Sequence, residues 1–245
     1  TSFFKINTKG TPLHKTEERL LRNRRKPIAI AARSIVRAAT GNKYWSHFDE
    51  AKKKEIEELS RELHGLLFQP EMNQPIKTLE LPLAGASSPI DALNLLMDMI
   101  EVCAGTRGDA TPSSQLNADD PDGSETIAVL KICLKVMRRI TGNQAGSLGL
   151  HPAVYFYNSR GKHSPHLFLA IVSVVAKRVR SNDKTFFRTF IKARSEMESF
   201  LVQNKQLIGQ AIVALGSSVR VIRLMDLYEM LIRRFAANET VKSEE

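Results

Sequence analysis

Apolar residues recur at helical spacing in one segment after another of this chain, and this periodicity constrains its fold more than any other feature. The segment that follows Asp49 gives a clear example, because its apolar residues are three or four positions apart and share one helix face: Ile56, Leu59, Leu63 and Leu66. Alternation typical of strands is almost absent. The pattern predicts a mainly α protein, an irregular multi-helix bundle of about eight to ten helices.

Residues that favour helix ends agree with this interpretation. Pro27 suits the first position of a helix, and Gly41 suits the position after its end. Asp49 precedes a helical pattern and is expected to cap it. A further helix is expected over residues 183–203. The apolar run that follows Ser164-Pro165 is nearly continuous, which predicts a buried central helix.

Residues 105–123 are rich in Gly, Pro, Ser, Asn and Asp and contain little to bury. This composition predicts a flexible loop, which also marks the best internal boundary of the chain. We therefore expect a first part over residues 1–104 and a helical domain over residues 124–245 that packs on it.

The cysteines and histidines do not have the spacing of a metal site. Cys103 and Cys133 lie within apolar helical patterns, which predicts buried free thiols. His163 and His166 stand at a helix start without a neighbouring carboxylate or thiol, and His151 precedes a proline at a loop-to-helix junction. All three are predicted to be structural or surface residues, and no metal ligand is predicted.

The charge distribution is more informative than the net charge of +10. Residues 1–48 carry 11 basic and 2 acidic side chains, residues 49–130 carry 6 and 16, and residues 131–194 carry 13 and 1. Two explanations remain open for basic blocks that flank an acidic one. The blocks pair with each other inside the fold, or the basic ones form a face for phosphate groups.

Two arrays of basic residues are the candidates for nucleic-acid binding. The first lies at a helix end and on the next helix and comprises Arg22, Arg24, Arg25, Lys26, Arg33 and Arg37. The second is a stripe at four-residue spacing, Lys184, Arg188 and Lys192. The pair Arg138 and Arg139 ends a further helix. Such arrays predict salt-dependent contacts to the nucleic-acid backbone without sequence readout.

The first residues form the string Phe4-x-Ile6-Asn7-x-x-Gly10-x-x-Leu13-x-x-x-Glu17, a turn followed by a helix start. It resembles the segment that follows the DGQQR motif in the N-terminal domain of GmrSD-type restriction proteins, a bacterial family with a ParB/sulfiredoxin-like NTPase core. The resemblance implies that residues 1–104 include the C-terminal end of an NTPase-like core. It also implies a missing N-terminal half of that domain as a partner.

The chain contains neither the DGQQR motif nor the His-Asn-His motif that some relatives carry. No catalytic residue is therefore predicted, and whether the parent protein is an enzyme stays open. The resemblance implies an NTP with a divalent metal in the parent domain and no cofactor in this chain. It makes Asn7, Thr8 and Gly10 the nucleotide-proximal candidates, with a purely structural turn as the alternative.

These observations give two hypotheses for function. The first is a helical part of a DGQQR-type, NTP-binding protein of restriction–modification or anti-phage defence, which contributes a basic surface facing DNA without being catalytic alone. The alternative is a stand-alone α-helical nucleic-acid-binding or adaptor module without catalysis. The longest apolar run, residues 167–176, is shorter than the roughly 18 residues of a membrane span, so we expect a cytoplasmic protein without a membrane partner. The resemblance implies that this protein is bacterial. The oligomeric state stays open.

Overall fold

The computed structural model describes residues 15–41, 43–69, 81–85, 89–105, 114–142, 144–239 and 241. These residues form ten α-helices and no strand, which confirms the predicted mainly α fold. The helices, in chain order, are α1 Lys15–Arg22, α2 Pro27–Val36, α3 Glu50–Phe68, α4 Pro89–Ala104, α5 Ser124–Ile140, α6 Pro152–Tyr155, α7 Pro165–Arg180, α8 Lys184–Gln203, α9 Lys205–Ala214 and α10 Arg220–Ala236.

Helix α7 lies at the centre of the bundle, as its nearly continuous apolar run predicted. Ten of its sixteen residues are buried, including Phe168 and Ile171. Helices α4, α5 and α10 pack around it, and α8 packs on α10. No helix in the described ranges combines the length and the apolar character needed to cross a membrane.

Helices from the two halves of the sequence share one core. Helix α2 packs against α3, α4 and α5, and α3 runs alongside α5. The guanidinium group of Arg19 attaches α1 to α4, because it donates to Asn94 Oδ1 at 2.7 Å and to Asp98 Oδ1 at 2.7 Å. Cys103 and Cys133 are both buried free thiols, as predicted.

Aspartate side chains cap two of the helices, and Asp49 does so at the position that the sequence predicted. Asp49 accepts a hydrogen bond from the Lys52 backbone N–H at 2.9 Å, and Asp183 accepts one from Phe186 N–H at 2.9 Å. His151 plays the same role for α6, because its Nδ1 accepts from the Ala153 N–H at 3.2 Å. These contacts satisfy amide groups that a helix start leaves without intrahelical partners.

Helix α2 ends before the position that the sequence predicted. Ala38 and Ala39 both have positive φ angles, 48° and 59°, and therefore leave the helical conformation ahead of Gly41. The Ala39 N–H donates to the Ser34 carbonyl at 2.8 Å, so the turn still satisfies the end of the helix.

Helix α9 was not predicted from the sequence. Its N-cap residue, Asn204, makes no side-chain capping bond, and Gly209 lies near its middle. Only Ile212 is fully buried, and the helix packs mainly against α8.

Part of the segment predicted as a flexible loop contacts the core. Residues Ser114–Asn117 form a 3-10 turn in which Leu116 is buried. Asp120 is also buried and binds the first turn of α5. Residues 106–113 lie outside the described residues.

Candidate nucleic-acid interface

Several basic side chains of the two basic blocks are engaged inside the fold. Arg180 donates to the Val102 carbonyl at 2.8 Å, at the C-terminal end of α4. Lys192 donates to the Ala236 carbonyl at 2.5 Å, at the end of α10. Such contacts place positive charge where a helix leaves carbonyl groups without partners, so these side chains stabilise helix ends.

Ion pairs between α3 and α5 engage further charges. Glu55 and Lys131 are 2.6 Å apart, and Glu62 and Arg138 are 2.5 Å apart. On both helices, the residue of the second pair lies seven positions after that of the first. The pairs are therefore about two turns apart, and the two helices run in the same direction. Part of the opposite charge of the two blocks is thus paired internally, which was one of the two explanations open from the sequence.

A groove remains where α3, the end of α5, the loop over residues 144–147 and the start of α8 meet. Its volume is about 550 Å³. We call it the basic groove, because six basic and three acidic side chains line it: Lys131, Lys135, Arg138, Arg139, Arg178 and Lys184, with Glu55, Glu58 and Glu62.

Three cationic side chains of the basic groove come from two helices and have no acidic partner in the described part of the chain. Lys135 and Lys184 are exposed, and the ammonium group of neither has a hydrogen-bond or ion-pair partner there. The guanidinium of Arg139 lies 4.4 Å from the centre of the Phe187 ring and donates to the Gly146 carbonyl. These contacts fix the position of Arg139 and leave its charge uncompensated.

The three glutamates that line the groove do not neutralise the charges of Lys135, Arg139 and Lys184. Glu55 and Glu62 already pair with basic side chains of α5. Glu58 is exposed, and its Oε1 lies 3.9 Å from Nζ of Lys54 on its own helix. A multiply charged anion therefore meets a net positive site at the end formed by α5 and α8.

The loop after α5 shapes this end of the groove. The Leu148 N–H donates to the Arg139 carbonyl at 2.8 Å, and the Leu150 N–H donates to the Ile140 carbonyl at 3.0 Å. Gly146 has a φ angle of +90°, and a Cβ at this position would lie 2.8 Å from a guanidinium nitrogen of Arg139. Glycine therefore allows both the turn and the close approach of the loop to Arg139.

Arg178 holds the start of α8 in place beside the groove. Its guanidinium lies 3.0 Å from Glu229, 3.4 Å from Asp183 and 4.7 Å from the centre of the Phe186 ring. Its Nε is buried and lacks a hydrogen-bond partner among the described residues. The carboxylates of Glu229 and Asp183 largely neutralise the Arg178 guanidinium. Arg178 therefore helps to position the start of α8 and adds little net positive charge to the groove.

The members of the first predicted array, which runs from Arg22 to Arg37, differ in their burial and in their partners. Arg33 is half-buried, stacks on Tyr44 with 4.1 Å between guanidinium carbon and ring centre, and donates to the Leu20 carbonyl at 3.4 Å. Burial lowers the pKa of Arg33. Arg22 forms an exposed ion pair with Glu18 on its own helix. A half-buried Arg33 is directed toward its own fold, so it is a poorer candidate for DNA contact than its spacing suggested.

The other members of that array remain on the surface. Arg24, Arg25 and Arg37 are exposed, and Lys26 is partly exposed at the N-cap of α2. None of these four lines the basic groove in the described structure.

The three residues of the predicted stripe on α8 also differ in their surroundings. Lys184 lines the basic groove, and Arg188 is exposed one turn further along α8. Lys192 is held at the end of α10. The fold thus brings Lys184 together with Lys135 and Arg139, which belong to a different helix.

Sequence reasoning missed Lys135, although a signal was present. Lys131, Lys135 and Arg138 lie four and three residues apart and therefore form a basic stripe along α5. Asn7, Thr8 and Gly10, the nucleotide-proximal candidates, lie outside the described residues.

The described residues do not bring a metal-binding group of side chains together. No three His, Cys, Asp or Glu side chains among them are grouped as a metal site requires. His163 is engaged structurally, because its Nε2 donates to the Leu83 carbonyl at 2.6 Å. The six basic side chains that line the basic groove give it the charge needed to attract an anion.

Comparisons with models of known protein families, with curated proteins and with solved structures found no match to this chain. The basic groove consequently supplies the evidence on function.

Proposed function

We propose that this chain binds the phosphate backbone of DNA through the basic groove, as the non-catalytic helical part of a DGQQR-type, restriction-like protein. One observation carries the binding proposal. Lys135 and Lys184 reach the same groove from different helices, and neither has an acidic partner among the described residues. The choice of DNA and of this class of protein rests on the resemblance carried by residues 4–17.

Backbone binding fits the residue types in the groove. Lysine and arginine side chains contact phosphate oxygens without reading the bases, and such contacts release counterions from the nucleic acid. Among the described residues of the groove, aromatic side chains do not present an open stacking face, because the Phe187 ring is buried under Arg139. The groove therefore supports phosphate contact and does not support base stacking.

The test is the salt dependence of binding to a labelled DNA duplex, measured by fluorescence anisotropy. The double variant Lys135→Gln/Lys184→Gln removes two exposed cations from the groove. If both contact phosphates, the plot of log affinity against log salt should become about 1.8 shallower, since each contact on duplex DNA contributes about 0.9. The affinity itself should fall most strongly at low salt.

Arg160→Gln/Lys162→Gln is the matched control. Both residues are exposed, and they precede α7, whereas the groove lies at its C-terminal end. An equal loss of affinity in the two double variants would reject the basic groove as the binding site. Absent or salt-independent binding by the unmodified chain would reject backbone binding altogether. Tighter binding to an RNA duplex would support the groove as the binding site but reject DNA as its ligand.

A second candidate function, an adaptor module, is favoured by a separate observation. Helix α9 exposes large apolar side chains, which is a property of protein–protein interaction sites.

A further inference from the structure

A smaller pocket is lined by the start of α7, the end of α8, helix α9 and the start of α10. Its volume is about 160 Å³. Most of its lining is apolar and includes the buried side chains of Leu167, Leu201 and Ile212. Five polar residues complete it: Asn158, Ser164, His166, Lys205 and Arg220. An apolar pocket with a few convergent polar groups is typical of a small-molecule site.

Two cationic side chains of this pocket are held in place without an acidic partner in the part of the chain that the structure describes. Lys205 donates to the Ala153 carbonyl on α6. Arg220 donates to the Leu215 carbonyl at 3.0 Å and to the Val213 carbonyl at 3.3 Å. Carbonyl groups carry no net charge, so both positive charges remain uncompensated. An ammonium has three donors and a guanidinium has five, so each side chain retains donors for a ligand.

The surroundings of these cations favour an anion. No Asp or Glu is among the described residues that line the pocket. Burial lowers the pKa of Lys205, because its ammonium group loses contact with water. Ser164, the N-cap residue of the 16-residue helix α7, makes no side-chain capping bond. An anion in the pocket therefore meets two cations, and the start of α7 adds to the attraction through the helix dipole.

We infer that this pocket binds a small carboxylate, whose apolar body contacts the apolar lining and whose charged group pairs with Lys205 and Arg220. The carboxylate would form charge-assisted hydrogen bonds, which offset the loss of its hydration. The volume is below the roughly 300–1,000 Å³ of pockets for drug-sized ligands, which limits the occupant to a short chain or a single ring. None of these residues lines the basic groove, so the inference does not depend on DNA binding.

Titration of the isotope-labelled whole chain with hexanoate, followed by NMR, tests the inference. Hexanoate should bind with a dissociation constant of about 1 mM or lower and should shift the backbone amide signal of Gly209, which lines the pocket. Hexanamide has the same apolar body without the charge, and acetate has the charge without most of the apolar body. Each should bind at least about tenfold more weakly than hexanoate.

Two variants separate binding from folding. Lys205→Met keeps an apolar stem and removes the ammonium group, so hexanoate affinity should fall at least about tenfold. Gly209→Leu should obstruct the pocket, because a Cβ at this position has open space around it and a larger side chain can extend into that space. The same change should raise the thermal midpoint of the chain without ligand, since leucine favours a helix interior more than glycine does.

Lys192→Met is the matched control. Lys192 also donates to a backbone carbonyl at a helix end, at Ala236, but it does not line this pocket. The control should bind hexanoate as the unmodified chain does, and far-UV circular dichroism of each variant should retain the helical signal.

Three results would overturn the inference. The first is an unmodified chain in which hexanoate does not shift the Gly209 signal. The second is hexanamide or acetate that binds as tightly as hexanoate. The third is a folded Gly209→Leu variant that binds hexanoate with unchanged affinity, a result that stays decisive even if Lys205→Met fails to fold.

Discussion

Replacement of Asp120 by alanine should destabilise the fold by several kcal/mol, although Asp120 lies in a segment whose composition predicts a loop. The side chain is 3% exposed. Its Oδ1 accepts from the Gly123 N–H at 2.9 Å, and its Oδ2 accepts from the Thr126 N–H at 2.8 Å and from the Thr126 hydroxyl at 2.6 Å. One carboxylate thus satisfies three donors at the start of α5.

The expected loss of stability follows from the donors that alanine would leave without an acceptor. Thr126 and Gly123 are buried, so their donors would lose an ionised acceptor without gaining water. A hydrogen bond to a charged group contributes about 1.5–3 kcal/mol, and a lost helix cap costs about 0.5–2 kcal/mol. Because the three bonds share one group, their contributions do not add fully, and we expect a total loss of about 3–5 kcal/mol.

Urea unfolding followed by circular dichroism measures this loss. Asp120→Asn should cost about 2 kcal/mol, since its amide oxygen can replace one carboxylate oxygen but its NH2 group meets a donor. Asp119→Ala is the control, because the neighbouring Asp119 is exposed, and it should change the free energy of unfolding by less than about 0.5 kcal/mol. An Asp120→Ala variant within about 1 kcal/mol of the unmodified chain would refute the reasoning.

Two further predictions concern titration. Burial lowers the pKa of His163, and its hydrogen bond to the Leu83 carbonyl opposes this shift only in part. The unfolded chain therefore takes up the proton first as the pH drops below about 6.5, and the free energy of unfolding should fall in that range. NMR titration should place the His163 midpoint below that value, and His163→Gln should reduce the loss of stability; a midpoint at or above it would contradict the proposed burial. Lys52 donates to Asp122 and, with Ser124, holds the pKa of Asp122 at about 2. Lys52→Met should raise that pKa toward about 4, but not fully because Ser124 remains, and an unchanged carboxyl midpoint in NMR would disprove the contact.

The fold could be predicted largely because local signals set its helices. Asp49, Pro27 and Pro165 mark helix starts through a side chain or a ring, and the structure places each at the predicted position. These effects act within one turn of the chain, so the sequence contains all the information that they need.

Helix α9 was missed for the opposite reason. It has no capping side-chain bond at Asn204, no charged residue after Lys205 to mark a polar face, and Gly209 near its centre. Its apolar residues do not divide clearly into a buried and an exposed side, because both Ile212 and the exposed Val213 are apolar. A pattern method that relies on amphipathic contrast cannot assign such a helix.

The candidate site could be predicted only in part, because the spacing of basic residues does not reveal their partners. Lys192 belongs to the predicted stripe, but the carbonyl that it contacts is 44 residues away at Ala236. Arg194 likewise donates to the carbonyl of Gly149, at 3.1 Å. Long-range contacts of this kind decide which cations stay available, and they leave Lys135 and Lys184 at one groove.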